Sequence, residues 1–253
     1  MKSEIKQIIE YLLLAFIISW ILMFGMVLFA READSLLIRP LSILTILGPG
    51  IAALILSLKK ISLKEYLKRT FTFEQRLKYY VIFITWAVWR YFLCMLVGER
   101  VEGSSLILPL LYIPISILQG GNEEFGWRFL QPKMEKKMHS VIAALIFTVI
   151  WATWHLPFFL IPWDWRKTLF DFFVIMIGMS LTNAISLAVI YKLTNSILLC
   201  VFAHAWMNAI TKTFRPSGDL KTIVGFIIEA IIGIIILTLC EKGVIKSAKE
   251  RNI

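Results

Sequence analysis

Charge is scarce in this sequence: only 17% of its 253 residues are Asp, Glu, Lys or Arg, while 58% are apolar and the mean hydropathy is +0.77. Soluble domains carry roughly 25% charged and 45–50% apolar residues, so water is excluded as the main solvent of this chain. Cysteine is also sparse. Cys94, Cys200 and Cys240 lie far apart, each inside an apolar run and without CxxC or zinc-type spacing, which excludes a thiol-based redox or ligand role and reads as packing. No alternating strand pattern of barrel type occurs, and lipid does not tolerate open sheet edges, so membrane-crossing segments must be helical. Internal repeats, low-complexity tracts and linkers are missing too, which leaves one integral membrane domain over residues 1–253 as the expectation and gives no sign of a transporter built from two matched halves.

What is present is a succession of long apolar runs. A helix needs roughly 20 residues to cross about 30 Å of hydrocarbon, and eight runs meet that length: 8–30, 36–58, 79–98, 107–131, 140–161, 168–191, 196–213 and 221–240. The expected fold class is therefore all-α, a polytopic bundle of about eight transmembrane helices. The first run is too long for a signal-peptide core and reads as the first span. The charged tail Glu241–Ile253 carries no lipidation motif.

The net charge of +10 would suggest nucleic acid in a soluble protein, but here the basic residues collect between the apolar runs, where they set orientation. With the N-terminus inside, 18 of the 27 lysines and arginines fall on the cytoplasmic side, so both termini are expected in the cytoplasm and no nucleic-acid partner is expected. The Ile- and Lys-rich composition points to a bacterial cell membrane. The basic loop Lys59–Lys78 is partly amphipathic and reads either as a surface helix on anionic headgroups or as a solvated topogenic loop.

Polar side chains inside a membrane helix are disfavoured by roughly 2.5–3.5 kcal/mol each, so those present call for a role. Three clusters qualify: Glu123-Glu124-Phe125-Gly126-Trp127-Arg128, Trp151-Ala152-Thr153-Trp154-His155-Leu156-Pro157, and His204-Ala205-Trp206-Met207-Asn208. Residues four apart share a helix face, which predicts a Glu124–Arg128 pair, Trp151 beside His155, and His204 projecting with Asn208. Glu123, about 100° round the helix from Glu124, is left to take a proton from water. At 1.5 Å per residue these groups fall about 12–20 Å deep on the cytoplasmic side, compatible with one shared cavity. Trp127, Trp154 and Trp206 read as packing, His139 as a solvated loop residue, and Gly126 and Pro157 either as packing or as local openings of the backbone.

Peptide hydrolysis needs an activated water, oxyanion stabilisation and a proton for the leaving amine. The expected division is Glu123 with His155 activating water, and His204 with Asn208 donating to the oxyanion. HExxH is absent. Zinc would have to be gathered from His155, His204 and Glu123 on separate helices, so a cofactor-free glutamate mechanism is favoured and zinc is the alternative.

These motifs carry a resemblance. EEFGWRFLQPKMEKK at 123–137 is similar to the EExxxR motif of the CPBP (Abi, or type II CAAX prenyl endopeptidase-like) intramembrane peptidases; WATWHLP at 151–157 resembles their aromatic-xxx-His motif, and YKLTNSILLCVFAHAWMN at 191–208 their HxxxN motif. The resemblance implies eight helices, a membrane cavity, and Glu123, Glu124, Arg128, His155, His204 and Asn208 as the catalytic set of an intramembrane endopeptidase. Its implied partners are a peptide or membrane-protein substrate and the lipid bilayer. The eukaryotic prenyl-protein branch has Asn four residues after the first histidine; here Phe159 stands there, which points away from prenylated substrates and towards leader, bacteriocin or signalling peptides and membrane-protein tails. The rival reading is a non-catalytic membrane scaffold or bacteriocin-immunity protein that holds a peptide or membrane-protein partner in the same cavity.

Overall fold

The computed structural model describes residues 2–29, 38–72, 75–160 and 176–248. Among them the fold is helical: α1 (Lys2–Phe29), α2 (Ile38–Ile46), α3 (Gly48–Leu58), α4 (Leu63–Thr70), α5 (Leu77–Val97), α6 (Leu108–Leu118), α7 (Glu124–Glu135), α8 (Ser140–Trp154), α9 (Ile177–Thr194), α10 (Ile197–Ile210) and α11 (Leu220–Glu241). The all-α expectation stands. One two-stranded clasp, β1 (Glu99–Arg100) against antiparallel β2 (Phe214–Arg215), ties the end of α5 to the segment after α10.

Lipid is legible on the outer helices. α1 exposes Ile5, Ile9, Leu13, Ile17 and Ile21 at four-residue spacing and buries Tyr11, Ala15, Ser19, Met23 and Met26 on its other side. α11 likewise exposes Ile227, Ile231 and Ile235 and buries Gly225, Glu229, Gly233 and Leu237. Water would not tolerate such apolar stripes on so much of the surface. α1, α5, α8 with its trailing 3-10 turn, and α11 are each long and apolar enough to cross a membrane, and α2 with α3 makes a fifth span bent by 41°.

The expected helix over 107–131 is corrected. Its apolar run ends at Leu118, a turn through Gly120 follows, a 3-10 turn covers Gly121–Glu123, and α7 starts at Glu124. The seventh run is also shorter than expected, ending at Ile210, and neither α6 nor α10 is long enough to cross alone: 11 and 14 residues make about 17 and 21 Å of helix. The sixth run is seen from Ile177 onwards; 168–175 lies outside the described residues, as do Ala30, 36–37 and residue 161 at the ends of other expected spans, and the tail from 249.

Two packing centres set the site. α1, α3, α7 and α8 enclose a core of Tyr11, Met23, Trp127, Leu130, Phe147 and Trp154; α5, α9 and α10 enclose another around Tyr79, Ile190, Leu199 and Met207. α7 can approach α3 this closely because residue 126 lacks a side chain: a Cβ on Gly126 would lie 2.2 Å from the Pro49 carbonyl carbon. Gly126 is therefore a packing contact, the first of its two sequence readings. At one end of the bundle Lys192 joins four helices through Glu135 (2.9 Å), Ser140 (2.9 Å) and Glu241 (3.1 Å).

Candidate functional site

Each of the three motif segments arrives at the site through a local break in a helix. Glu123 closes the 3-10 turn and Glu124 is the first residue of α7, so the two carboxylates leave the backbone in different directions at a helix start. α8 ends at Trp154, because a residue before proline disfavours helical geometry and Pro157 follows closely; His155 caps the helix and the chain tightens into a 3-10 turn. Pro157 thus redirects the backbone, as one of its readings had it. The third segment begins at a sharp corner: Asn195, at φ 52°, ends α9 in the left-handed region that Asn tolerates, and the Ser196 side chain accepts from the Leu199 N–H at 3.2 Å to start α10. The TNS triplet before the HxxxN motif is that corner.

Glu124 is the electrostatic centre. One of its oxygens lies 2.7 Å from Arg128 Nε, and the other accepts from His204 Nδ1 at 3.0 Å. All three side chains are buried, with at most 4% of each exposed. A buried charge is tolerated only when paired, and Glu124 with Arg128 forms such a pair within one helical turn. Arg128 also donates to Gln131, which is held by Glu135 (2.6 Å) and the Ala188 carbonyl (3.2 Å).

Glu123 has different company. Its Oε2 accepts from two indole N–H groups, Trp127 at 3.0 Å and Trp151 at 2.7 Å. The Trp151 ring then stands edge-on to both His155 (5.4 Å between centroids) and His204 (5.3 Å), so one indole touches all three motif segments. His155 Nδ1 lies 2.8 Å from the Trp151 carbonyl, which accepts its hydrogen and leaves Nε2 as the basic nitrogen. His204 Nε2 and Asn208 Nδ2 converge on Gly120, where a Cβ would lie 3.0 Å from the first and 2.3 Å from the second.

Glu123, Glu124, Arg128, His155, His204 and Asn208 are thus brought into one neighbourhood. Two further participants were read from the sequence only as packing or stacking residues: Trp127, four residues after Glu123, and Trp151. The (i, i+4) spacing of Glu123 and Trp127 is the signal that would have found the first. His139, read as solvated, is exposed and uses its ring to accept from the Val141 N–H at the start of α8. A second buried charged cluster was overlooked altogether: Arg90 of α5 pairs with Glu229 of α11 and donates to Asn183 of α9 (3.0 Å), while Ser186 donates to Glu229 (2.8 Å). Opposite charges inside two apolar runs were its visible sign. As a metal centre the site fits poorly. No three His, Cys, Asp or Glu side chains among the described residues converge at ligand geometry, and His204 turns its Nδ1 towards Glu124.

Comparison with known proteins falls on the same stretch of the chain. Residues 104–210, which contain all three motifs, match the family model described as Type II CAAX prenyl endopeptidase Rce1-like. No curated protein matches the chain. With its lipid-facing helices the chain is an integral membrane protein, and its stretch 104–210, motifs included, is similar to the CAAX-protease-like (CPBP) family of protease-type enzymes.

Proposed function

We propose that this protein is an intramembrane endopeptidase in which Glu123 activates water and His204 with Asn208 stabilises the oxyanion. The observation that carries the reading is the Trp151 indole, which bonds Glu123 while bordering His155 and His204, so that base and oxyanion donor are gathered around one ring.

The chemistry follows from charge balance. Glu124 and Arg128 form a fixed pair of no net charge, which leaves Glu123 and His204 to share one exchangeable proton. With that proton on His204, the ring donates from both nitrogens: Nδ1 to Glu124 and Nε2 to the substrate oxygen. Glu123 is then anionic, held by two indoles, and able to accept the proton of an attacking water. As the water oxygen bonds the scissile carbonyl carbon, the carbonyl oxygen takes up negative charge, which His204 and Asn208 meet. Collapse of the tetrahedral intermediate expels the amine, which receives the water-derived proton from Glu123 by way of His155 Nε2. The cluster stays neutral throughout, as a site surrounded by hydrocarbon requires.

The reading needs no metal, and turnover by protein shown metal-free by elemental analysis after exhaustive chelation is the expected result. Loss of turnover that zinc restores would overturn that part. The substrates are peptides or membrane-protein segments without a prenyl group, and the termini face the cytoplasm of a bacterial cell; the chain works as one domain. Comparative peptidomics of cells carrying the wild-type protein or Glu123→Gln tests the whole reading. Peptides that accumulate uncut only with the variant are expected, at equal amounts of folded protein. Identical peptidomes would remove the hydrolytic assignment and leave the scaffold reading.

A further inference from the structure

Away from the motif cluster, a cavity of about 310 Å³ opens where the ends of α1, α3, α4, α7 and α10 meet. Its inner wall includes Phe125 and Phe129, and its rim carries Lys59, Lys60, Arg69 and Lys133. Phe125, Phe129 and Lys133 are spaced by four and form one face of α7, next to the face that carries Glu124 and Arg128. Among the described residues the only carboxylate on the rim, Glu10, has Lys6 as a neighbour at 3.8 Å, so the opening is strongly positive.

The lysines are arranged against one another. Among the described residues no carboxylate pairs with Lys59, Lys60 or Lys133, whereas Arg69 is held by Glu65 at 2.7 Å. Lys133 donates to the Phe129 carbonyl at 3.1 Å and lies 3.4 Å over the Phe129 ring, which fixes where its ammonium points. Burial, and then the positive charges of Lys60 and Lys136, push its pKa down to about 8. α4 flanks this opening with exposed Leu63 and Leu67 beside Lys64 and Lys68, the composition of a helix lying in the headgroup layer.

We propose that this cavity holds the phosphate headgroup of an anionic membrane lipid, with Lys59, Lys60 and Lys133 around the phosphate and the phenyl rings of Phe125 and Phe129 against the glycerol and first methylenes. A phosphate among these ammonium groups relieves their mutual repulsion and supplies the counter-charge that the chain itself does not provide. An apolar wall directly below a cationic rim matches the order of groups in a phospholipid, and the adjoining surfaces of α3 and α4 expose Ile55, Leu58 and Leu67, along which acyl chains can lie. The occupant bears on the face of α7 next to the one that carries Glu124 and Arg128, so the site is a lipid dependence built into the scaffold rather than a part of the hydrolytic cluster.

The test reads lipid rather than turnover, so its outcome does not depend on the peptidase assignment. The full chain is released for native mass spectrometry from micelles doped with equal mole fractions of phosphatidylglycerol and phosphatidylcholine. One phosphatidylglycerol is expected to be retained in preference, and the triple variant Lys59→Gln, Lys60→Gln, Lys133→Gln to lower that preference about tenfold. Lys64→Gln with Lys68→Gln, which alters α4 outside the cavity, is expected to leave it unchanged. Equal loss in both sets would show a general surface charge effect and overturn the site. So would retention of both lipids alike, displacement of phosphatidylglycerol by millimolar inorganic phosphate, or displacement by an acidic peptide.

Discussion

Two buried charged clusters occupy this bundle, and their difference separates chemistry from architecture. At Arg90 and Glu229 there is one cation and one anion, and both carboxylate oxygens are engaged, one by Arg90 and the other by Ser186. The three helices α5, α9 and α11 are thereby pinned together, with Asn183 completing the set. At Glu123 and Glu124 there are two carboxylates for one guanidinium, and the balance is made by an imidazole that can gain or lose a proton. The first cluster has nothing to exchange; the second has two histidines and, in the proposed mechanism, one mobile proton. Charge within a membrane helix is therefore not by itself a mark of catalysis, and the surplus titratable group is the better sign.

The comparison can be broken most directly by exchanging activity for stability at the two places. Glu123→Gln is expected to lower cleavage by about 10²–10⁴-fold with little change in thermal stability, measured as turnover and as melting in detergent. Asn208→Ala should lose about 10²–10³-fold in kcat through the oxyanion, again without unfolding. Arg90→Met should do the reverse: removing one member of a buried pair costs about 3–5 kcal/mol, while turnover per folded molecule holds. The double variant Arg90→Met with Glu229→Leu should recover most of that loss. Full activity in Glu123→Gln, or catalytic loss without destabilisation in Arg90→Met, would erase the distinction.

Smaller effects sharpen it. Ser196→Ala removes the cap that starts α10 and is expected to cost about 1 kcal/mol, with a modest fall in turnover because His204 and Asn208 ride on that helix. At Asp219 the Thr222 N–H, at 2.9 Å, holds the carboxyl below its usual range, so its contribution to stability is present above the ordinary aspartate pKa and fades as pH falls through the depressed value. The melting temperatures of wild type and Asp219→Ala should therefore differ slightly at neutral pH and converge in acid.

Much of the site was readable along the chain because its chemistry is local: Glu124 with Arg128 and His204 with Asn208 are each four residues apart, and helical periodicity suffices to pair them. The Trp151–Glu123 bond spans 28 positions and the His204–Glu124 bond 80, and no periodicity announces either. The break at Gly120–Glu123 was missed for another reason. Hydropathy averages over a window and passes smoothly across a short turn, although the paired glycines at 120 and 121 marked the spot.

Composition alone determined that lipid is the solvent and that helices are the elements, because a backbone without water must satisfy its own hydrogen bonds within each segment. It also determined which residues were too polar to be there without cause. Only the tertiary structure decided which of those polar residues meet, that an indole links the three motifs, and that Arg90 and Glu229 neutralise one another. Burial and pairing are properties of several helices at once, and a linear order of residues does not contain the distances between them.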